Sequence, residues 1–227
     1  MSTSHTVPHV ATFCLGPFQT NCYVITESNG AAANSGEKTP CWIVDASFNP
    51  HALIQDVQKR GLVPEAIILT HAHIDHIAGL KEVLAAFPKV PLMIHEAESE
   101  WLVDPELNLS AGYGLPVSIR YADRLLKDGE ELTLGTTKWK VLHVPGHSPG
   151  SIAIVQQDTD KPVAVSGDAL FQRSIGRTDF PGCSFEQLAK SIRTKLYTLL
   201  DQTKIFPGHG PSTTIGEEKR SNPFVKL

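Results

Sequence analysis

The chain predicts an α/β fold in which helices cover β-sheets, and three observations carry that expectation. Apolar runs too short for helices recur along its 227 residues, bounded by glycine, proline or polar residues. Helical spacing is confined to three stretches, at 50–60, 77–87 and 185–200. Between the last two lies a block of β pattern from 121 to 166, so helices and strands alternate at the two ends with hairpins in the middle. There is no repeat period and no evident boundary, so 1–227 reads as a single domain.

Residues 10–15 and 22–26 read as strands joined through the turn Gly16-Pro17. The stretch 27–40 is small, polar and glycine-containing, and is expected to be an inserted hairpin loop. A short strand over 41–45 ends on an acid, Asp45. Asn49-Pro50 then opens a helix that stops at Gly61. The apolar run 66–70 is a buried strand, 77–87 a helix ended by Pro88, and 91–95 another strand. Proline and glycine interrupt 103–120, which reads as a long loop. Strands are expected at 125–126, 131–134, 138–144, 151–156 and 162–166. An amphipathic helix over 185–200 and a strand over 203–206 follow.

Composition is ordinary for a globular protein, at 41% hydrophobic and 19% charged. A net charge of −4 provides no basic field for nucleic acid or anionic lipid. No apolar run approaches the roughly 20 residues that span a membrane. The N-terminal MSTSHTVPHVATF lacks the basic and apolar regions of a signal peptide and the arginines of a transit peptide. A cytoplasmic location is therefore expected. Cys14, Cys22, Cys41 and Cys183 form no C-x-x-C pair, which argues against zinc ribbons and thioredoxin-type chemistry and for free thiols.

Polar residues gather where the apolar strands end. His71, His73, Asp75 and His76 follow the strand at 66–70. His147, Asp168 and His209 follow those at 138–144, 162–166 and 203–206, each beside a glycine. Strand ends are where open α/β folds place ligands, and glycine lets the backbone approach them. Taken singly, His147 or His209 would be an ordinary hydrogen-bonded histidine, and Asp168 a turn residue. Jointly, five imidazoles and two carboxylates exceed what one catalytic zinc takes and suit two ions with a carboxylate between them. Imidazole with carboxylate favours zinc or iron, with manganese a further choice. His5, His9, His51, His95 and His143 stand outside such settings.

THAHIDH at 70–76, PGH at 145–147, GD at 167–168 and GH at 208–209 together resemble the metallo-β-lactamase superfamily. The resemblance implies an αββα sandwich of two mixed sheets flanked by helices. It also implies one metal held by His71, His73 and His147, a second by Asp75, His76 and His209, and Asp168 as the bridge. GPFQTNCY at 16–23, SIGRTDFPG at 174–182 and FPGHGPSTTIGEEKRSNPF at 206–224 are similar to short, single-domain glyoxalase II-like hydrolases. The longer enzymes of that kind carry a C-terminal helical domain that supplies glutathione-binding residues, and a lysine where this chain has Arg177.

The reaction expected is hydrolysis of a small-molecule, glutathione-derived thioester, first of all S-lactoylglutathione, by a hydroxide held between two divalent ions. Asp75 and Asp168 would stay ionised beside the cations. Arg177 and Arg173 could meet a substrate carboxylate bidentately or form surface salt bridges. Persulfide dioxygenases also resemble the chain, through GRTDF at 176–180, and would imply one iron on His71, His147 and Asp168. A lactonase-type hydrolase uses the same ligands, because substrate choice lies in loops. The protein is expected to be a monomer or small homo-oligomer.

Overall fold

The computed structural model describes residues 8–27 and 39–226, so most of the loop expected at 27–40 lies outside the described residues. The chain divides into two compact units. One comprises Pro8–Leu126 with Leu134–Thr136; the other comprises Lys127–Thr133 and the chain from Thr137 onward.

The first unit is built on a mixed six-stranded sheet, in the order β1 (His9–Leu15), β2 (Thr20–Thr26), β3 (Thr39–Val44), β4 (Leu62–Ile68), β5 (Leu92–His95) and β6 (Arg124–Leu126). β1, β2 and β3 pair antiparallel, whereas β3 to β6 run parallel. Parallel pairing needs crossovers. The first is α1 (His51–Lys59), which buries Leu53 and Val57. It ends where Gly61 turns at φ +62°, a conformation open to glycine without penalty. The second crossover carries α2 (Ile74–Ile77) and α3 (Leu80–Ala86). The single helix expected over 77–87 is thus two, and the first begins three residues early. The reason is a close approach: Gly79 donates to the Ala46 carbonyl at 2.8 Å, and a Cβ on it would lie 2.1 Å from the Ser47 carbonyl oxygen. The helix is broken to press its start against the end of β3. Leu53, Ile67, Leu69, Ile77, Leu80 and Ile94, all fully buried, lie in this unit's core.

The second unit has its own mixed six-stranded sheet, ordered β14-β13-β10-β9-β8-β7. Its strands are β7 (Glu131–Leu134), β8 (Thr137–His143), β9 (Ile152–Gln156), β10 (Val163–Gly167), β13 (Lys204–Pro207) and β14 (Thr213–Thr214). β10 and β13 are parallel; β8–β9, β9–β10 and β13–β14 are antiparallel. A two-stranded ribbon, β11 (Leu170–Phe171) and β12 (Ser174–Ile175), follows β10 and was not expected from the sequence. Its strands are too short to show alternation.

The long helix expected at 185–200 is α4 (Phe185–Ser191), which widens into π-helical turns over Ile192–Leu196 and stops there. Ser184 caps it by accepting from Gln187 N. A last helix, α5 (Ile215–Ser221), was also not expected. Its start is marked by Thr214 and Glu217, in the spacing of a capping box, and Thr214 Oγ1 accepts from Glu217 N at 3.2 Å. Leu188, Ile192 and Leu196 pack with Ala164, Ile205 and Val225 in this unit's core. Two mixed sheets with flanking helices make the fold α/β, as expected. Among the described residues, no helix is long and apolar enough to cross a membrane.

Candidate functional site

In the first unit the candidate ligands stand at the carboxyl ends of the parallel pair β3–β4. After β4 the chain runs extended through His73, then turns into α2 with Asp75 and His76 in its first turn. His71 and His76 are fully buried and His73 nearly so, while the Asp75 side chain is about 15% exposed. The three imidazoles crowd together: His71 lies 4.7 Å from His73 and 4.1 Å from His76, ring centre to ring centre. His76 Nε2 is 3.4 Å from Asp75 Oδ2. Buried imidazoles at this spacing cannot all carry charge without an anion or a metal to organise them.

Asp45 orders this cluster. It follows β3 at φ +60° and is fully buried. Its Oδ1 accepts from Thr70 N at 2.8 Å, and its Oδ2 from Thr70 Oγ1 at 2.7 Å and from His76 Nδ1 at 2.8 Å. The Nδ1 proton of His76 is thereby fixed, and Nε2 is left as the ligating atom. The relay extends one step further. Thr70 Oγ1 spends its proton on Asp45, so it accepts from His71 Nδ1 at 3.2 Å and leaves His71 Nε2 with its lone pair. Two further groups brace the segment. Buried Glu98 accepts from Ala72 N at 2.6 Å, and Thr20 donates to Asp75 Oδ2 at 2.8 Å.

In the second unit three strand-end turns deliver His147, Asp168 and His209. Asp168 Oδ2 lies 3.5 Å from His147 Nε2 and 3.4 Å from His209 Nε2. The Nδ1 of His147 meets the Arg177 carbonyl at 2.8 Å; a carbonyl only accepts, so His147 too presents Nε2. Glycines make this packing possible. Gly146 sits at φ +133°, and a Cβ there would be 2.2 Å from Leu188 N in α4. A Cβ on Gly176 would lie 1.9 Å from the Asp168 carbonyl oxygen and 2.9 Å from His147 Nδ1. Gly208 N donates to the Gly167 carbonyl at 2.8 Å, tying the turn after β13 to the turn after β10. Imidazole Nε2 atoms facing a carboxylate, with the Nδ1 of His147 already satisfied, are the donor chemistry of a zinc or iron site.

Arg177 and Arg173 hold carboxylates of this chain. Arg177 grips Asp179 through Nε and Nη2 at 2.9 and 2.8 Å and stacks on Phe180 at 4.3 Å. That pairing holds the Asp179 carboxyl below the usual carboxylate range. Arg173, at φ +54°, donates its backbone N–H to Glu218 at 2.8 Å and reaches Glu217 at 3.7 Å.

The residues that sequence reasoning missed are the supporting ones: Asp45, Thr70, Thr20 and Glu98. Asp45 had a signal, since it is the acid that ends an apolar strand. Thr20 and Glu98 had none, because their partners are 55 and 26 residues away.

Residues 15–209 match the model of the metallo-beta-lactamase superfamily, and the chain belongs to that family. A relative from Haemophilus influenzae named hydroxyacylglutathione hydrolase GloC is 38% identical over 210 residues, covering 92% of this chain and 93% of its own. The crystal structure of the BLEG-1 B3 metallo-beta-lactamase has a TM-score of 0.86 and 40% identity, covering 96% of this chain and 100% of that one. That of TTHA1623 in a di-iron-bound form has a TM-score of 0.75 and 33% identity, covering 95% and 100%. Fold, family and donor set together define a metallohydrolase-type enzyme.

Proposed function

We propose that the protein is a binuclear metallohydrolase of small thioesters, with S-lactoylglutathione the first candidate to assay. The observation that carries the reading is the Asp168 carboxylate, whose Oδ2 faces the Nε2 atoms of both His147 and His209 at 3.4–3.5 Å. By the family resemblance, His71, His73 and His147 would hold one ion, Asp75, His76 and His209 would hold the other, and Asp168 would bridge them. The family match spans all seven residues, and the di-iron form of TTHA1623 supports a two-ion site.

When bound, two divalent ions supply Lewis acidity and a water acidified to a pKa of about 7. The chain's own residues prepare for this. Asp45, Thr70 and the Arg177 carbonyl keep the Nδ1 protons of His76, His71 and His147 away from the site, so the Nε2 atoms of these three are available. Asp75, held by Thr20, presents its carboxylate in a fixed direction. A thiol leaving group, with a pKa near 8.5, departs as thiolate and needs no protein acid. No cysteine nucleophile is called for, and burial pushes the Cys22 thiol well up. The GloC relative supports the glutathione-derived substrate, and cysteines that stand outside disulfides support action in the cytoplasm.

A second reading, β-lactam hydrolysis, is favoured by the likeness to the BLEG-1 lactamase. The test is thiol release from S-D-lactoylglutathione and ring opening of a penicillin, both by protein with quantified zinc, iron and manganese. The thioesterase reading expects thiol release with about two metals per chain. Lactam opening alone would replace it with the second reading. About one iron per chain, with dioxygen consumed when a persulfide is added as substrate, would overturn both.

A further inference from the structure

Two loops of the first unit carry exposed aromatic rings, and each loop is tied to the segment that bears the candidate ligands. The turn between β1 and β2 presents Phe18, 38% exposed, two residues before Thr20. Thr20 Oγ1 donates to Asp75 Oδ2 at 2.8 Å, so the turn is fastened to a candidate ligand. The turn is also rigid. Gly16 is at φ +68°, Gln19 N donates back to its carbonyl at 3.2 Å, and a Cβ on Gly16 would lie 3.0 Å from the Phe48 Cβ.

The loop at 103–120 presents Tyr113 and Leu115, 47% and 55% exposed. Fully buried Asn108 holds this loop in shape. Its Nδ2 donates to the Trp101 and Val117 carbonyls at 2.8 and 2.9 Å, and its Oδ1 accepts from Ser110 N at 3.1 Å. Its own carbonyl accepts from Ile74 N at 3.0 Å, between His73 and Asp75. Trp101, in the same network, packs 5.8 Å from His73.

The two loops meet through their rings. Phe18 and Tyr113 are edge to face at 5.3 Å, and Phe18 lies 6.2 Å from Phe48. Rigid, solvent-facing aromatic rings on loops anchored to reactive residues have the character of a ligand wall. A lactoyl group, with one methyl, would use little of it.

We infer that Phe18 and Tyr113 form an apolar specificity wall for the acyl portion of the substrate, and that the enzyme prefers aryl or branched-alkyl acyl groups to small polar ones. The inference rests on the hydrolase reading above and narrows its substrate class. The rings act as specificity determinants only; they move no proton and hold no metal.

The test is binding of the product carboxylates phenylacetate and acetate to the metal-loaded full chain by calorimetry, which needs no turnover and no particular leaving group. Phenylacetate is expected to bind at least about tenfold more tightly than acetate. Phe18→Ala and Tyr113→Ala should each cut that preference to about threefold or less, with metal content unchanged. Equal affinities in the native chain, or a preference that survives both substitutions, would overturn the wall. Phe18→Leu and Tyr113→Phe keep apolar bulk, retain the preference, and guard against loss by misfolding. Thiol release from S-phenylacetylglutathione and S-lactoylglutathione is followed in parallel. If neither is hydrolysed while the binding preference holds, the thioesterase reading fails and the wall stands.

Discussion

Asp45 touches three donors on two residues and sets the protonation of two histidines, yet it ligates nothing in the proposed centre. Replacing it with Asn keeps shape and removes the charge that holds the Nδ1 proton of His76. Asp45→Asn is expected to lower metal affinity roughly 10–100-fold, read by competition with a chelator, while metal at saturation restores most activity. Asp168→Ala removes the carboxylate itself, so metal content and rate should both collapse and saturation should not rescue them. Full loading and activity in that variant would end the bridging role. The cysteines differ sharply in setting. Cys22 and Cys41 are buried and Cys14 is exposed. Burial pushes the Cys41 thiol up to about 12 and Cys22 higher still. At pH 8 a thiol reagent should therefore modify Cys14 in the native protein and reach Cys22 and Cys41 only after denaturation, as peptide mapping would show.

Glycines decide how tightly α2, α3 and α4 approach their neighbours. Gly79→Ala would drive a methyl into the Ser47 carbonyl, and Gly146→Ala would drive one into the start of α4. Gly146 also holds a φ that other residues rarely adopt. Each substitution should destabilise by at least about 2 kcal/mol in urea unfolding. Gly182→Ala has open space around it and a positive φ alone, so it should cost less, about 1 kcal/mol. Strands were the most legible elements, because short apolar runs between turn residues read directly. Helices were read less well. Ala78-Gly79 sits inside an unbroken helical spacing, and nothing nearby in the sequence says that Ser47 presses against it. Thr214 and Glu217 mark the start of α5 only once the structure shows it, because the helix behind them is too polar and short for periodicity to reveal.

Stability of the whole chain should depend on metal and on pH in definite directions. Ions that bind only the folded state stabilise it, so a chelator should lower the melting temperature, more at low than at high added metal. On the acid side, Arg120 holds the Asp123 carboxyl below its usual range. A depressed folded value adds stability above the unfolded value near 3.9, lost as pH falls through the folded one. Both partners are about 43–44% exposed, so the effect is small and Asp123→Asn should flatten the acid limb only slightly. On the alkaline side the sign reverses. Cys41 stays protonated when folded but ionises near 8.5 when unfolded, so stability should fall from about pH 8.5 towards 12. Cys41→Ala should flatten that limb in melting experiments run across the range.

By itself the sequence determined the α/β class, most of the strands and the seven candidate ligands, because donor types at strand ends are local patterns with a chemical meaning of their own. Folding settled how those donors are prepared. The contact from Asp45 to His76 spans 31 residues, and that from the Arg177 carbonyl to His147 spans 30. The loop at 103–120 reads as plain turn residues until Asn108 is seen holding it to Ile74. Hydrogen bonds of this kind pair groups that share no sequence neighbourhood. Their directions, and so which nitrogen of each histidine carries the proton, exist only once the backbone has brought the partners within about 3 Å of each other.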